Sequence, residues 1–390
     1  MKFSPPALHA PVLRTQAHKD FVSERLSAMA SQRLQAKAAA PRAGAAPDAS
    51  MSIPLLNVSL EQNFDAYVTI NFAGGNNDSA LSLMVDTGNS ALIVPDFDAL
   101  AALPDFDKHY TFETGAKEPW CCEANVVTGP ITFPIDADTS YTIPKCKFYA
   151  CTKPNKKGDR TANFGAGCVT PWRVGNNDAI QSPLSYSSDY GVAEFDYVPL
   201  AENIADGATP NVAEGSWLTL YRTVPPHYCM FGIVKDLPWM SLRPKSLSIG
   251  NTVTEWPGVL KKKPIAMIDT GGGPVFLSDT NDKVWGCDWP GTTAVPLPDW
   301  TPGSVCCQSI DGDLTVVLED DAGNPYSYRI ETARLPAPAR GLTLVMCRTC
   351  NKMQDEEGMN IGGLSALFNY IVIDYAAAKV GFKAKPAKLV

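Results

Sequence analysis

The sequence predicts a mostly β protein made of two similar halves, and three observations support this prediction. From Met51 onward, short segments rich in β-branched and aromatic residues alternate with turn residues. The chain holds 32 prolines and 29 glycines, which suits many strands joined by tight turns. A set of motifs in the first half recurs in the same order in the second half. With 390 residues, the chain has the length of two or three domains.

The strand-like segments are short, and helical patches between them are few. In the first half they are AYVTINFA, LSLMVDTG, ALIVP, NVVTGPITFPI and TIPKCKFYA. In the second half they are SLSIGN, PIAMIDTG, PVFLS, LTVVLE, YSYRIE, LTLVM, YIVIDY and KVGF. Two segments, LSLMVDTG and PIAMIDTG, carry an apolar run directly into an Asp-Thr-Gly triplet. An apolar run bounded by turn residues is typical of a buried strand.

Five features recur in one order in the two halves. The Asp-Thr-Gly triplet that begins at Asp86 corresponds to the triplet that begins at Asp269. A Cys-Cys pair follows 35 residues after the first aspartate and 37 residues after the second. Next come the corresponding stretches ITFPIDADTSYTIP at 131–144 and LTVVLEDDAGNPYSYRI at 314–330, and then two more cysteines in each half. An apolar residue before glycine then follows, in NFGAG at 163–167 and in NIGG at 360–363. We therefore expect a duplicated, two-lobed protein.

Eleven cysteines favour disulfides and an oxidising compartment. The repeat predicts that the Cys-Cys pair of each half is linked to the two later cysteines of that half, with the individual partners left open. The candidates are Cys121, Cys122, Cys146, Cys151, Cys306, Cys307, Cys347 and Cys350. Cys168 and Cys229 form a further bridge or are buried thiols. Adjacent cysteine pairs do not suit one zinc ion and the chain has only four histidines, so no metal site is expected.

The composition and charge of the first 50 residues differ from those of the rest. This difference predicts a separate basic segment over 1–50, and two lobes over 51–235 and 236–390 are expected to follow it. The segment carries seven Lys or Arg and three Asp or Glu, a balance of +4, and ends in the linker APRAGAAPDAS. Because the whole chain carries −8, the remainder carries −12. A basic segment can bind an acidic body electrostatically; a tail without a role is the alternative.

Composition and charge also exclude several classes of function. No stretch of 18 apolar residues is present, so no membrane span is expected. The acidic body argues against nucleic-acid binding. The N terminus shows no apolar leader region, although the cysteines favour secretion or the lumen of an endomembrane or vacuolar compartment.

The two Asp-Thr-Gly triplets predict an acid–base site. If the two lobes pack about a pseudo-twofold axis, Asp86 and Asp269 face each other there. Two carboxylates about 3 Å apart cannot both ionise, so they share a proton and titrate as a pair. One can then act as a base on water and the other as an acid toward a carbonyl. Their supporting residues in this prediction are Thr87, Gly88, Asn89, Thr270, Gly271 and Gly272.

The chain resembles the pepsin-like aspartic proteases over about residues 60 to 385. Besides the triplets, the resemblance includes the apolar-Gly pairs Phe164-Gly165 and Ile361-Gly362 and the C-terminal stretch NIGGLSALFNYIVIDYAAAKVGF. It implies a bilobal β fold and an aspartic endopeptidase that binds an extended polypeptide, needs no cofactor and is a monomer. The first 50 residues are similar to the propeptide of that family. They would form an intramolecular inhibitor.

The sequence departs from the family pattern at two places. The family has Ser or Thr directly after each triplet, where a hydroxyl bonds the outer carboxylate oxygen, whereas this chain has Asn89 and Gly272. The Asn89 side chain can still donate, whereas Gly272 has no side chain to do so, and loss of a donor to the charged form is expected to raise the pKa values of the pair. No Tyr-Gly motif of the family's flap is found between Tyr110 and Gly129. Trp120 is the candidate to replace it, with an ordinary core residue as the alternative.

Two other functions remain open at this point. The first is a non-proteolytic acid–base enzyme that uses the same two aspartates, because a fold does not fix a function. The second is an inactive binding or inhibitor protein. The retention of both aspartates argues against the second, since binding needs neither of them.

Overall fold

The computed structural model describes parts of the chain from residue 50 onward, and strands dominate these parts. The described residues are 50–56, 66–72, 80–94, 107–113, 123–136, 138–153, 163–168, 180–198, 216–235, 240–250, 252–255, 264–271, 275–278, 292–295, 304–310, 312–320, 322–331, 345–349 and 358–386. Helical geometry within these ranges is limited to two short 3-10 segments, Pro183–Tyr186 and Gly363–Leu367. The predicted mostly β class is confirmed. The basic segment lies outside the described residues, apart from Ser50.

The strands divide into two runs along the chain. The first run contains β1 Met51–Leu56, β2 Tyr67–Ile70, β3 Leu81–Asp86, β4 Leu92–Val94, β5 Asp107–Glu113, β6 Glu123–Pro134, β7 Ser140–Lys153, β8 Asn163–Gly165, β9 Val192–Asp196, β10 Trp217–Tyr221 and β11 Cys229–Gly232. The second contains β12 Ser241–Leu242, β13 Pro244–Ile249, β14 Thr252–Glu255, β15 Ile265–Ile268, β16 Val275–Ser278, β17 Thr292–Val295, β18 Ser304–Ile310, β19 Leu314–Glu319, β20 Pro325–Ile330, β21 Val345–Thr349, β22 Gly358–Ile361, β23 Asn369–Asp374 and β24 Lys379–Ala384.

The same seven-strand arrangement occurs once in each run. In the first run the strand order is β2-β3-β8-β4-β7-β6-β5, and in the second it is β12-β15-β22-β16-β21-β18-β17. The strand directions also match, because β3–β8 and β15–β22 are parallel, as are β4–β7 and β16–β21, while the other neighbours are antiparallel. The repeat of sequence motifs is therefore also a repeat of topology.

The two corresponding stretches that follow the Cys-Cys pairs, at 131–144 and 314–330, form antiparallel hairpins. In the first run, Ile131 lies opposite Ile143 where β6 and β7 approach their turn. In the second, Leu314 lies opposite Ile330 in β19 and β20. The second hairpin belongs to a separate sheet of order β14-β13-β19-β20. Its alternating burial, with the apolar side chains inward, reflects the two-residue period of a strand with one covered face.

The C-terminal strands join the sheet that contains the first run. β23 pairs with β9, and β24 pairs with β23 and β11, so the 13-stranded sheet runs β11-β24-β23-β9-β10-β1-β2-β3-β8-β4-β7-β6-β5. The predicted boundary at residue 235 separates the two seven-strand units, but it assigns β23 and β24 to the lobe whose sheet they do not join. These strands tie the end of the chain to its first run.

The two strands that lead to the Asp-Thr-Gly triplets are buried. All six residues of β3 and all four residues of β15 are buried. Strands covered on both faces are continuous apolar runs rather than alternating ones, which is why LSLMV and IAMI precede the triplets. Both strands contribute to one hydrophobic core that includes Val85, Phe164, Ile268 and Ile361. Each triplet therefore begins at a rigid, buried strand end. Within the described residues, no helix has the length and apolar character needed to cross a membrane.

A buried lysine fixes the end of β24 to the segment after β9. The Lys385 side chain is only 4% exposed, and its Nζ lies 2.7 Å from Asp196 Oδ1. The same Nζ donates a hydrogen bond of 2.6 Å to the Tyr197 carbonyl oxygen. Since a buried cation is unfavourable unless it is paired, both contacts are needed to keep Lys385 in place.

We predict that Lys385→Met lowers the free energy of unfolding by about 2–3 kcal/mol, because it leaves a carboxylate and a carbonyl without this donor. The value lies below that of a fully buried pair because Asp196 is 27% exposed. Chemical denaturation measures it. Lys245→Met is the matched control, since the Lys245–Glu319 pair is 60% and 41% exposed and is expected to contribute less than about 1 kcal/mol. Equal losses in both variants would contradict the role of Lys385.

Candidate active site

Asp86 and Asp269 occupy equivalent places at the ends of two buried strands. Asp86 is the last residue of β3, and Asp269 directly follows β15. In each unit the residue before the aspartate lies opposite the apolar residue of an apolar-Gly pair, Phe164 in one unit and Ile361 in the other. Asp86 is 4% exposed and Asp269 is partly exposed. The two turns meet, as their hydrogen bonds show.

The two threonines join the turns by reciprocal hydrogen bonds. The backbone N–H of Thr87 donates to Thr270 Oγ1 at 3.1 Å, and the backbone N–H of Thr270 donates to Thr87 Oγ1 at 3.0 Å. Each hydroxyl then donates across the contact, Thr87 to the Ile268 carbonyl at 2.9 Å and Thr270 to the Val85 carbonyl at 2.8 Å. The predicted locking role of the threonines is confirmed, and each turn holds the other in position.

The glycines of the triplets allow the carboxyl groups to approach each other. A Cβ atom on Gly88 would lie 2.6 Å from both Cγ and Oδ1 of Asp269, and a Cβ on Gly271 would lie 2.8 Å from Asp86 Cγ and 3.0 Å from its Oδ1. Real Cβ atoms do not approach other atoms this closely, so neither position accepts a side chain without a shift. Each glycine N–H also donates to its own aspartate Oδ1, at 2.7 Å from Gly88 and 3.1 Å from Gly271. The Oδ1 atoms are therefore the inner oxygens of the pair.

The two carboxyl groups are hydrogen-bonded to each other, and their pKa values are raised. Burial is the largest cause for Asp86, whose pKa lies above its ordinary 3.8 although Asn163, Asp269 and the backbone of Gly88 and Asn89 lower it. Burial and then the charge of Asp86 raise the pKa of Asp269 well above 3.8, against the lowering effect of Asn360. A carboxyl beside an ionised carboxylate keeps its proton, so the two groups titrate as a pair and the second ionisation is the unfavourable one.

Two asparagines that the sequence reading did not single out bind the outer oxygens. Asn163 Nδ2 donates to Asp86 Oδ2 at 2.6 Å, and Asn360 Nδ2 donates to Asp269 Oδ2 at 2.7 Å. Both are 4% exposed. The signal was present in the sequence, because NFGAG and NIGG both begin with asparagine at the same place in the repeat.

The residue after the first triplet supports the pair through its backbone. The N–H of Asn89 donates to Asp86 Oδ1 at 3.1 Å, whereas its side-chain Oδ1 accepts from the Ala91 N–H at 3.0 Å. Gly272 lies outside the described residues. The pKa of Asp86 is raised as expected, although Asn163 supplies a side-chain donor to its outer oxygen. Burial is the cause.

The stretch between Tyr110 and Gly129, where the resemblance places a flap, belongs to an antiparallel strand pair in its described part. β5 and β6 pair in antiparallel fashion, with Tyr110 opposite Val126. Residues 114–122, which include Trp120, lie outside the described residues. The role expected for Trp120 stays a prediction.

The cysteine prediction is wrong at Cys146. Cys146 is a free, fully buried thiol on the same face of β7 as Phe148 and Ala150, both fully buried, so it belongs to the core. Burial holds the pKa of its thiol well above the usual range. Cys168 and Cys229 are also free, so the bridge considered between them is absent, and Cys229 is exposed rather than buried.

In the second unit, Cys306 and Cys307 are both disulfide-bonded. Cys347 lies opposite Cys307 in the β18–β21 register. The partners within each half stay predictions. Cys121, Cys122 and Cys350 lie outside the described residues, as does the side chain of Cys151.

Among the described residues, no group of three His, Cys, Asp or Glu side chains is arranged to hold a metal ion. Comparison with known proteins does not assign the chain to a family, because no protein-family profile matches it and no curated protein matches it either. The geometry of the paired carboxyl groups is therefore the basis for assigning a chemistry to the site. Two hydrogen-bonded carboxyl groups with separated pKa values can act as a base and an acid on one substrate.

We predict that Asp269→Asn raises the melting temperature at neutral pH and has little effect at strongly acidic pH. Because the folded-state pKa of Asp269 is raised above its ordinary 3.8, the native state loses stability as the pH rises from about that value through the folded pKa. The amide removes this loss, so the gain over the wild type grows with pH. Melting curves recorded across this range measure it.

Asp320→Asn is a control whose expected effect on stability at neutral pH is opposite to that of Asp269→Asn. Hydrogen bonds from Asn324 and from the turn backbone lower the pKa of Asp320, so its contribution to stability is present above the ordinary pKa and is lost as the pH falls. This variant is therefore expected to be less stable than the wild type at neutral pH, and the difference should close in acid. A gain for Asp269→Asn that does not depend on pH would contradict the raised pKa.

Proposed function

We propose that the protein is an aspartic endopeptidase with the bilobal fold of the pepsin-like aspartic proteases. The observation that carries this proposal is the pair of carboxyl groups, Asp86 and Asp269, held in contact by reciprocal hydrogen bonds between the two turns. The repeated strand order supports two lobes related by an approximate twofold axis, with one aspartate from each. A polypeptide in extended conformation would bind between the lobes.

In this mechanism Asp86 is the base and Asp269 is the acid. Asp86 accepts hydrogen bonds from the backbone of Gly88 and Asn89 and from the Asn163 amide, and donors to the charged form favour ionisation. Asp269 faces that negative charge and therefore keeps its proton. In this assignment each aspartate has a different role at one pH.

The chemistry needs no covalent intermediate. Asp86 takes a proton from a water molecule while the oxygen of that water bonds to the peptide carbonyl carbon. At the same time, Asp269 gives its proton to the carbonyl oxygen. The resulting diol then collapses: the C–N bond breaks, the nitrogen takes the proton from Asp86, and a diol hydroxyl returns a proton to Asp269. The pair ends in its starting protonation state.

Asp86→Asn and Asp269→Asn are each expected to lower peptidase kcat/KM by a factor of about 10² to 10⁴ or more, because one carboxyl cannot serve as base and acid together. Digestion of an unfolded protein from acidic to neutral pH measures the loss, with a statine inhibitor as a second probe. Asp320→Asn is the control, since this turn residue is remote in sequence from both triplets and is expected to keep wild-type activity.

Asp86 and Asp269 are called the dyad below. Near-wild-type activity in either dyad variant would contradict the assignment. A wild-type protein that binds the statine inhibitor but digests no protein at any pH would instead favour non-proteolytic acid–base chemistry at the same pair.

We further propose that the protein is made as a zymogen in an oxidising compartment. Residues 1–50 carry seven cations and the rest of the chain carries −12, so electrostatic attraction would hold the segment across the dyad at neutral pH. Acid protonates the carboxylates that attract them, so the segment leaves. β1 begins at Met51 and is hydrogen-bonded to β10 and β2, so cleavage between about Ala38 and Met51 would leave the folded body intact. The disulfides at Cys306 and Cys307 support the compartment.

A chain that begins at Met51 is expected to be more active at neutral pH than the full chain, because the inhibitory segment is absent. Replacement of the basic residues of 1–50 by glutamine should have the same direction of effect and should speed conversion on acidification. Peptidase assays and mass spectrometry of the acidified protein measure both. If the shortened chain folds equally well and is no more active at neutral pH, the segment is not a propeptide.

A further inference from the structure

Two buried amides occupy the same register position in the two seven-strand units. Asn163 begins β8, and Asn360 lies in β22. Each asparagine directly precedes the apolar residue of an apolar-Gly pair. That apolar residue lies opposite the residue that precedes the aspartate of the same unit. Neither strand depends on the amide for its pairing, because the backbones of β8 and β22 are paired with strands on both sides. The side chains therefore serve something other than sheet formation.

Each amide uses its donor and leaves its acceptor unpaired. Asn163 Nδ2 and Asn360 Nδ2 lie 2.6 and 2.7 Å from Oδ2 of Asp86 and Asp269, distances typical of bonds to a charged group. The Oδ1 atoms of both asparagines are buried and have no hydrogen-bond partner among the described residues. A buried, unpaired acceptor is unfavourable for folding. Selection for stability alone does not explain this arrangement at two equivalent sites.

We propose that Asn163 and Asn360 are positioning residues that hold the outer oxygens of the dyad and set the pH range of the reaction. The proposal rests on the proposed peptidase function. These amides take the part that the resemblance assigns to a hydroxyl directly after each triplet, where this chain has Asn89 and Gly272. The donor has thus moved from the turn to the neighbouring strand, in both units.

A neutral amide suits this part because it does not titrate in the working range of the dyad. Its N–H donor makes the outer oxygen an acceptor, so the shared proton lies on the inner side of the pair, where Oδ1 of each aspartate is located. A donor to the ionised form lowers a carboxyl pKa, so loss of either amide should raise the pKa of its own aspartate. The two losses therefore affect different limbs of the pH–activity profile.

The predicted shifts follow from the two roles. Activity on the acidic side requires ionised Asp86, so Asn163→Leu should move the acidic limb of kcat/KM upward by about 1 to 2 pH units. Activity on the alkaline side requires protonated Asp269, so Asn360→Leu should move the alkaline limb upward by a similar amount. Leucine is close to asparagine in size but has neither donor nor acceptor. Asn163→Ala and Asn360→Ala serve where leucine impairs folding.

A rescue variant separates this role from a structural one. In Asn163→Leu combined with Asn89→Ser, a hydroxyl after the triplet replaces the lost donor, so the acidic limb should return toward its wild-type position. Titration of the aspartate carboxyl groups by ¹³C NMR in the wild type and in both leucine variants measures the same pKa shifts without an activity assay.

The outcomes distinguish this proposal from the proposed function. Unchanged limbs in both leucine variants, with activity reduced evenly at every pH, would overturn the positioning role and leave the peptidase intact. If the wild type has no peptidase activity, the NMR titration decides: raised carboxyl pKa values in the variants uphold the role of the asparagines, and unchanged values overturn it.

Discussion

The site depends on one constraint, the reciprocal hydrogen bonding of two turns that are far apart in the sequence. Thr87 and Thr270 each donate a backbone N–H to the other's hydroxyl, and each hydroxyl donates to a carbonyl of the opposite strand end. Four hydrogen bonds thus join two buried strands at one point. Because every backbone donor and hydroxyl in this contact has a partner from the other turn, neither turn can shift alone without leaving buried polar groups unpaired. The distance between the two carboxyl groups is fixed by backbone and threonine atoms rather than by the aspartates themselves.

That constraint imposes an electrostatic problem, which the surrounding donors only partly relieve. Asp86 and Asp269 are held together in a largely water-excluded place, where neither desolvation nor mutual repulsion can be relaxed by moving apart. The backbone amides on the inner oxygens and the amides of Asn163 and Asn360 on the outer oxygens lower the pKa values, but burial outweighs them. Both pKa values therefore stay above the ordinary 3.8, which favours retention of a proton in the pair. A site with weaker donors would hold two protons and lack a base, and a site with stronger donors would lose its acid.

The sequence predicted those features whose residue types are tied to backbone geometry. Apolar runs, the two triplets and their repeat placed both aspartates, the cross-linking threonines and the glycines where the structure has them. The role of the asparagines in NFG and NIG is not predictable in this way, because sequence spacing does not show that a side chain on a neighbouring strand points to a carboxylate. The assignment of Cys146 failed for a related reason. The repeat matched cysteines by order, whereas the alternation of a strand puts Cys146 on the buried face with Phe148 and Ala150. Motif order predicts topology better than it predicts the face on which a side chain lies.

The C-terminal strands connect this site to the rest of the sheet. The Tyr197 hydroxyl lies 3.4 Å from Thr270 Oγ1, and the carbonyl of the same tyrosine accepts the hydrogen bond of buried Lys385, which is paired with Asp196. The end of β24 is therefore two contacts away from the threonines that join the turns. A buried ion pair carries a desolvation cost that apolar residues in place of both partners would avoid, so its retention is expected only where its position matters. The position matters here because Tyr197 bridges the strand that Lys385 anchors and the turn that holds Asp269. The placement of the C-terminal strands therefore contributes to the positioning of the dyad.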